Sequence, residues 1–484
     1  MSVPDFLAAF NKAAFEEPVV IMGRVRRIRS SGKDLLFMDV VNEFEKVQVM
    51  ISRKKCFYQT DSAAKWRLFR KLVKSGDHIS VTGTGTTDRN GKATIHATQL
   101  PELVSPALEQ IPEKIIDSKT KALDRHIDLL VNKESVDILR LRSEILKHMR
   151  GHFESKRFLE FQTPILARNA GGAVARPFVT QATGFEGKDM ALRVAPELWL
   201  KRLVVGGVEK VFEIGPSFRN EGIDATHNPE FTSCEFYSAY SNLSDLIRET
   251  EELLHGLAQR SHELISNQLS SLPQVDVEKF AGPYKQLEFV PALEKAIGVR
   301  LPKLSSPDAL PELLAVLKLQ GIHLPGETPT SMPKLLDRLA ALYIEPESFT
   351  QPLFITNHPV CMSPLAKSFV CPKTLQLVSA RAELFVGGRE LANMYEEENN
   401  PKEQERKLAA HRAMDRAVDN DGEAAPLDQS FVRALDYGLP PTGGWGCGIE
   451  RLVMLFSGSE RISDCLSFGT LRNVVGVSDT AGEH

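Results

Sequence analysis

On an extended segment, side chains two residues apart project from the same face. The stretch from Val211 to Tyr237, VFEIGPSFRNEGIDATHNPEFTSCEFY, uses that spacing twice. Val211, Phe212, Ile214 and Phe218 before its polar centre, with Phe231, Phe236 and Tyr237 after it, predict an antiparallel hairpin. Arg219 and Glu221 form one same-face pair, and Glu235 and Tyr237 form another. Taken alone, Arg219 and Glu221 read as a weak, solvated ion pair. Together with the second pair and Phe231 they place a guanidinium, carboxylates, a phenol and a ring over one sheet face, which suits a small zwitterion bound beside a polyphosphate.

Two later stretches add to this chemistry. In SARAELFVGGRELANMYEEEN, Glu383 and Phe385 share a strand face, and Glu390, Asn393 and Glu397 recur at spacings of three and four, as on one helical or curved face. Carboxylates gathered opposite arginines are unfavourable unless they hold cations, and Mg²⁺ is the simplest candidate. Glu396 and Glu398 in the same run read as solvated. In LDYGLPPTGGWGCGIERLVMLFSG, Gly444, Gly446 and Gly448 remove side chains where a planar base can lie against backbone, and Arg451 projects from the helix that follows. The chain has no GxxxxGK[ST], so a P-loop is excluded.

These residues need a scaffold. Residues 1–17 read as an N-terminal tail and 18–104 as a small barrel, because short apolar runs (VVIMGRVRRIR, LLFMDV, KVQVMIS, HISVTGTG, KATIHATQL) alternate with glycine turns. One helical stretch, AAKWRLFRKLVKSGD, interrupts them, which is the arrangement of a five-stranded OB barrel. Arg24, Arg26, Arg27, Arg29 and Lys33 offer phosphate attraction on its face, Phe37 a plane for stacking a base, and Gln48 an amide to read one. Residues 105–134 read as a linker, and 135–484 as a second domain with a helical insertion around 260–350 that carries no chemistry. The fold class is α+β. RVAPELWLKRLVVGG predicts strand, helix and turn, with Glu197 in the first helical turn, and a glycine loop begins at Gly171.

The hairpin resembles motif 2 of the class II aminoacyl-tRNA synthetases, and its THNPEF and EFY resemble the lysyl members. The segment from Ser135 through KRFLEFQTPIL, ending at Pro164, resembles motif 1, and GLPPTGGWG followed by GIER resembles motif 3. Together with the OB barrel, the resemblance covers the chain from Pro18 to Arg472. It implies an antiparallel catalytic sheet flanked by helices, a homodimer built on the Pro164 element, and two-step aminoacylation of tRNA(Lys) with L-lysine and ATP. It assigns Arg219 and Arg451 to catalysis. Glu221, His227, Asn228, Phe231, Glu383, Glu390 and Gly448, with the same two arginines, are assigned to ATP, and Glu383 and Glu390 to Mg²⁺. Gly172, Glu197, Glu235, Tyr237, Asn393, Tyr395 and Glu397 are assigned to lysine, with Glu397 and Tyr237 meeting its ε-ammonium. Phe37 and Gln48 would meet the anticodon. Three positions depart from the family pattern: Lys92 stands for a base-reading Glu, Arg157 for a Gly, and Glu450 for an Asp.

Composition narrows the alternatives. At 484 residues the chain exceeds one ordinary core, and 42% hydrophobic with 25% charged residues is a globular balance. A net charge of −4 excludes a globally basic nucleic-acid binder, leaving local patches. No apolar run of about 18 residues predicts a membrane span. Six scattered cysteines without a C-x-x-C fit a reducing compartment, and the N-terminus has no secretory core, so the cytoplasm is expected, with an organelle left open. An aspartyl or asparaginyl enzyme needs cationic or amide groups where Glu397 stands. A non-catalytic RNA-binding paralogue is expected to lose Arg219 or Arg451. A translation-factor-modifying relative lacks the barrel.

Overall fold

The computed structural model describes all residues except 11–16, 58–61, 89, 169–170, 173–174, 186, 419–427 and 476–484. It divides into two compact units, Met1–Lys133 and Glu134–His484.

In the first unit, Val19–Ser31, Leu35–Asn42, Glu45–Ser52, Ala93–Ala97 and His78–Thr87 pair in that order, and the first strand also pairs with the last, closing a five-stranded barrel. Strict alternation drives this: Leu36, Met38, Val40, Val47, Val49, Ile51, Ile79, Val81 and Ile95 fill the interior. The helix Ser62–Leu72 contributes Trp66 and Phe69 to the same core. Two segments differ from their sequence description. Within 1–17, which was expected to be a tail, Val3–Phe10 is a helix, and Val3 and Phe6 are buried in the barrel core. The expected linker 105–134 is tied to the barrel by Ala107 N–H donating to Asp77 at 2.8 Å and by Arg26 donating to the Glu113 carbonyl at 2.7 Å. It carries a buried Arg125–Asp128 pair at 2.6 Å. Apolar spacing reports neither, because polar bonds hold the second and one helical turn the first.

The second unit is built on an eight-stranded sheet. Its order is Lys285–Glu288, Leu353–Thr356, Arg381–Val386, Arg389–Glu396, Thr442–Gly448, Glu230–Ala239, Lys210–Phe218 and Leu159–Glu160. The inner strands are antiparallel, while both edge strands join in parallel, so the sheet is mixed. One face packs on the helices Lys133–Ser155, Leu243–Asn267 and Ile449–Ser457 through Phe153, Phe212, Phe236, Trp445, Leu254 and Val453. Phe236 and Trp445 stack there with centroids 5.2 Å apart. A second core, with Leu293, Leu313, Leu335 and Leu339 packed on Leu353 and Ile355, supports the insertion. The long helix Leu243–Asn267 belongs to the first core and passes beyond residue 260.

Candidate active site

Because Phe236 and Trp445 face the helices, their neighbours Glu235, Tyr237, Gly444 and Gly446 face the other side. Register sets Glu235 opposite Gly446 and Tyr237 opposite Gly444, while Asn393 and Tyr395 flank the same two glycines from the next strand. A methyl group on Gly444 would lie 2.0 Å from Glu397 Oε1 and 2.6 Å from Tyr237 Cε1, and one on Gly446 would lie 3.3 Å from Glu235 Cγ. The glycines therefore make a floor against which Glu397, Tyr237 and Glu235 pack directly.

Glu390 reaches this face through a bulge. Leu384 pairs with Ala392 but Phe385 with Glu390, so Leu391 is extra and the side-chain alternation slips by one residue. The three-residue step from Glu390 to Asn393 thereby becomes a same-face spacing on a strand. Glu383 is opposite Asn393.

Each acidic group has a distinct environment. Burial pushes the Glu235 carboxyl up to about 8, although it accepts the Tyr237 hydroxyl at 3.0 Å. Glu197, at the start of the helix Glu197–Val205, accepts the Tyr395 hydroxyl at 2.7 Å and the Lys201 ammonium at 2.5 Å. Gly172, with φ +101°, stands against it, and a methyl there would lie 3.0 Å from Glu197 Cβ. Glu397 is fully buried and ion-paired with Lys201 through Oε2, yet neither of its oxygens has a hydrogen-bond partner, and Oε1 has no counter-charge beside it either. Burial raises this carboxyl, and Lys201 opposes the shift. Lys201 was not singled out in the sequence, although its i,i+4 spacing from Glu197 was available as a signal.

Glu383 would be raised by burial, but Arg381 and His358 outweigh this and hold it down to about 2. His358 Nε2 lies 3.1 Å from its Oε2, and Arg381 also donates to Asn393 Oδ1 at 2.9 Å. Glu390 moves the other way, raised by burial and by Glu383 beside it. No cluster of three metal-ligating side chains occurs among the described residues. Two neighbouring hard carboxylates, one of which opposes the ionisation of the other, still suit Mg²⁺, which takes one or two protein carboxylates with substrate phosphates and water.

The arginines lie around this acidic floor. Arg451 donates to the Glu390 carbonyl at 2.8 Å and contacts His227 Nε2 at 3.0 Å, and His227 Nδ1 is 2.8 Å from Asp224. Arg219 lies over the Phe231 ring with Cζ 5.1 Å from the centroid. Gly448 caps the helix that bears Arg451. One expectation needs correction. The strand ends at Phe218, and Glu221 N–H bonds the Arg219 carbonyl at 2.8 Å, so a tight turn replaces the same-face pair and leaves Glu221 exposed. Asn228 donates to the Glu230 carbonyl at 2.6 Å and accepts Leu471 N–H at 2.9 Å, which pins the loop to the C-terminal segment.

Pro164 is exposed and follows Thr163, whose hydroxyl donates to Glu213 at 2.7 Å, and Glu213 pairs with Arg193 at 2.5 Å. Leu159, Ile165 and Leu166 around it are exposed. On the barrel, Phe37 points outward, half-buried, opposite Arg29, while Gln48 is opposite Asp39, which pairs with Arg29 at 3.2 Å. Arg24 and Arg26 depart from the expected basic face, because they donate to the carbonyls of Gly76 and Glu113. Lys92 is exposed in the hairpin after Gly91.

A family model for tRNA synthetases class II (D, K and N) matches residues 117–472, and one for the OB-fold nucleic acid binding domain matches 19–103. The mitochondrial lysine–tRNA ligase of Schizosaccharomyces pombe is 41% identical, covering 94% of this chain and 84% of its own length. The lysine–tRNA ligase of Thermotoga maritima is 37% identical, covering 96% and 88%. A probable cytoplasmic lysine–tRNA ligase of Enterocytozoon bieneusi is 38% identical, covering 94% and 87%. The barrel lies within the second of these matches and the sheet with its glycine floor, acidic wall and flanking arginines within the first, and the chain belongs to the class II tRNA synthetases of the D, K and N group.

Proposed function

We propose that this enzyme is a lysine–tRNA ligase, which activates L-lysine with ATP and transfers it to the 3′ end of tRNA(Lys). The observation that carries the reading is the buried Oε1 of Glu397, an acceptor without a partner over the Gly444 floor. A substrate ammonium satisfies it, whereas a neutral side chain leaves a buried carboxylate uncompensated. An aspartate or asparagine side chain would meet the same carboxylate unfavourably.

In the reaction, the lysine carboxylate attacks the α-phosphorus of ATP and pyrophosphate leaves. The terminal adenosine hydroxyl of the tRNA then attacks the adenylate carbonyl and AMP leaves. A carboxylate is already a nucleophile, so the first step depends on positioning and charge neutralisation. Arg219 bridges the substrate carboxylate and the α-phosphate, and Arg451 and His227 hold the outer phosphates. The adenine lies between Phe231 and Arg451, with Gly448 admitting backbone approach, and the loop bearing Glu221 and Asn228 borders the nucleotide. Glu197, Glu235 and Gly172 receive the α-ammonium, Glu397 and Tyr237 the ε-ammonium, and Tyr395 and Asn393 complete the wall. Glu383 and Glu390 are the residues that would hold Mg²⁺, which supplies neutralisation of the phosphate oxygens.

Phe37 and Gln48 meet the anticodon, with Arg27 and Arg29 beside them. The exposed Leu159, Ile165 and Leu166 around Pro164 support a homodimer built on that edge. No helix among the described residues is long and apolar enough to cross a membrane. A cytoplasmic site of action is part of the proposal. Cell fractionation tests it, since relatives carry both mitochondrial and cytoplasmic names.

Pyrophosphate exchange measured with each amino acid in turn tests the whole reading. Lysine alone should drive it, and exchange driven by aspartate or asparagine instead overturns the assignment. Phe37→Ala should weaken tRNA charging and spare exchange.

A further inference from the structure

Lys201 projects from the helix Glu197–Val205 into the pocket just described, and its side chain is 1% exposed. Its ammonium is 2.5 Å from Glu197, contacts Glu397, and lies within 5.8 Å of the ring centroids of Tyr237, Tyr395 and Phe431. Burial alone would drive the proton off this amine, but Glu197 and Glu397 outweigh it and hold Lys201 charged. It is thus a resident cation in a site otherwise built to receive one.

We propose that Lys201 is a positioning residue for amino-acid selection, whose fixed ammonium cancels one of the pocket's three carboxylates so that two remain for a substrate bearing two ammonium groups. The inference rests on the lysine reading of the pocket. Burial raises the carboxyls of Glu235 and Glu397 in the empty pocket, and the ammonium groups of bound lysine draw both into their charged forms; Glu197, Glu235 and Glu397 then supply three negative charges, of which the α- and ε-ammonium groups cancel two and Lys201 the third. The substrate carboxylate is balanced separately by Arg219. A buried site favours a filled state with no net charge, since each uncompensated buried ion is strongly unfavourable. Lys201 also draws Glu397 Oε2 toward the helix, which leaves Oε1 over Gly444 as the acceptor open to the substrate.

Charge counting separates this role from that of a strut. Glu197→Gln leaves one positive charge in excess in the filled pocket, whereas Glu197→Gln with Lys201→Met restores neutrality and leaves no unpaired charge. In lysine-dependent pyrophosphate exchange, Glu197→Gln should raise the KM for lysine by about a hundredfold while the KM for ATP stays within about threefold. The double variant should recover at least about tenfold of that loss. A double variant no better than Glu197→Gln overturns the proposal. That comparison does not depend on whether Lys201→Met folds by itself. Failure of the wild-type enzyme to exchange with lysine is a different result, since it removes the lysine reading itself.

Discussion

Arg142, on the helix Lys133–Ser155, lies 2.9 Å from the Glu450 carboxylate, which is 2% exposed. The same guanidinium donates to the Thr232 hydroxyl at 2.8 Å, and Glu450 accepts the Thr232 N–H at 3.1 Å. One ion pair therefore joins the long helix, the returning strand of the hairpin and the helix after the glycine-rich strand. Arg142→Met strands Glu450 without a counter-charge. It should destabilise the catalytic unit by about 3–5 kcal/mol, read as an earlier transition in urea.

Gly444 is where a single methyl should abolish function with little change in fold. Its methyl would overlap Glu397 Oε1 and the Tyr237 ring, so both side chains must shift. Gly444→Ala should lower lysine-dependent exchange by at least about a hundredfold, with a circular dichroism spectrum like that of the wild type. Normal exchange by this variant would mean that the floor is not the lysine site.

Glu235 makes stability depend on pH in a defined direction. Its folded value of about 8 lies above its ordinary 4.5, so above pH 4.5 the folded chain retains a proton that the unfolded chain has lost. Its contribution is fully present below pH 4.5 and is lost as pH rises toward 8. Glu235→Gln removes that loss and still accepts the Tyr237 hydroxyl. The unliganded variant should melt at a higher temperature than wild type at pH 8, with the difference vanishing near pH 4.5, and should lose lysine activation.

Arg157 follows the long helix with φ +65°, a left-handed conformation unfavourable for a side chain. Phe158 N–H closes back on the Phe153 carbonyl at 3.0 Å, which requires that turn. Arg157→Gly should stabilise the unit by about 0.5–1 kcal/mol, after the larger backbone freedom of glycine in the unfolded chain is subtracted. Chemical denaturation measures this, and a lower midpoint in the variant would contradict it.

The sequence alone determined the barrel, the hairpin and the glycine-rich strand, because alternation of apolar residues dictates which face of each strand is buried. It also brought Glu235, Tyr237, Gly444 and Gly446 to one face by spacing, and the register of adjacent strands places them opposite one another. What it did not determine came from long-range pairing. The bulge at Leu391 that turns Glu390 toward Asn393 exists only through the register with the neighbouring strand. The turn that separates Arg219 from Glu221 exists only because the strand ends at Phe218. The pairing of Lys201 with Glu397, the contact of His358 with Glu383, and the Arg142–Glu450 tie each join residues far apart in the chain. Buried ions are stable only beside their partners, and tertiary structure alone decides which partners those are.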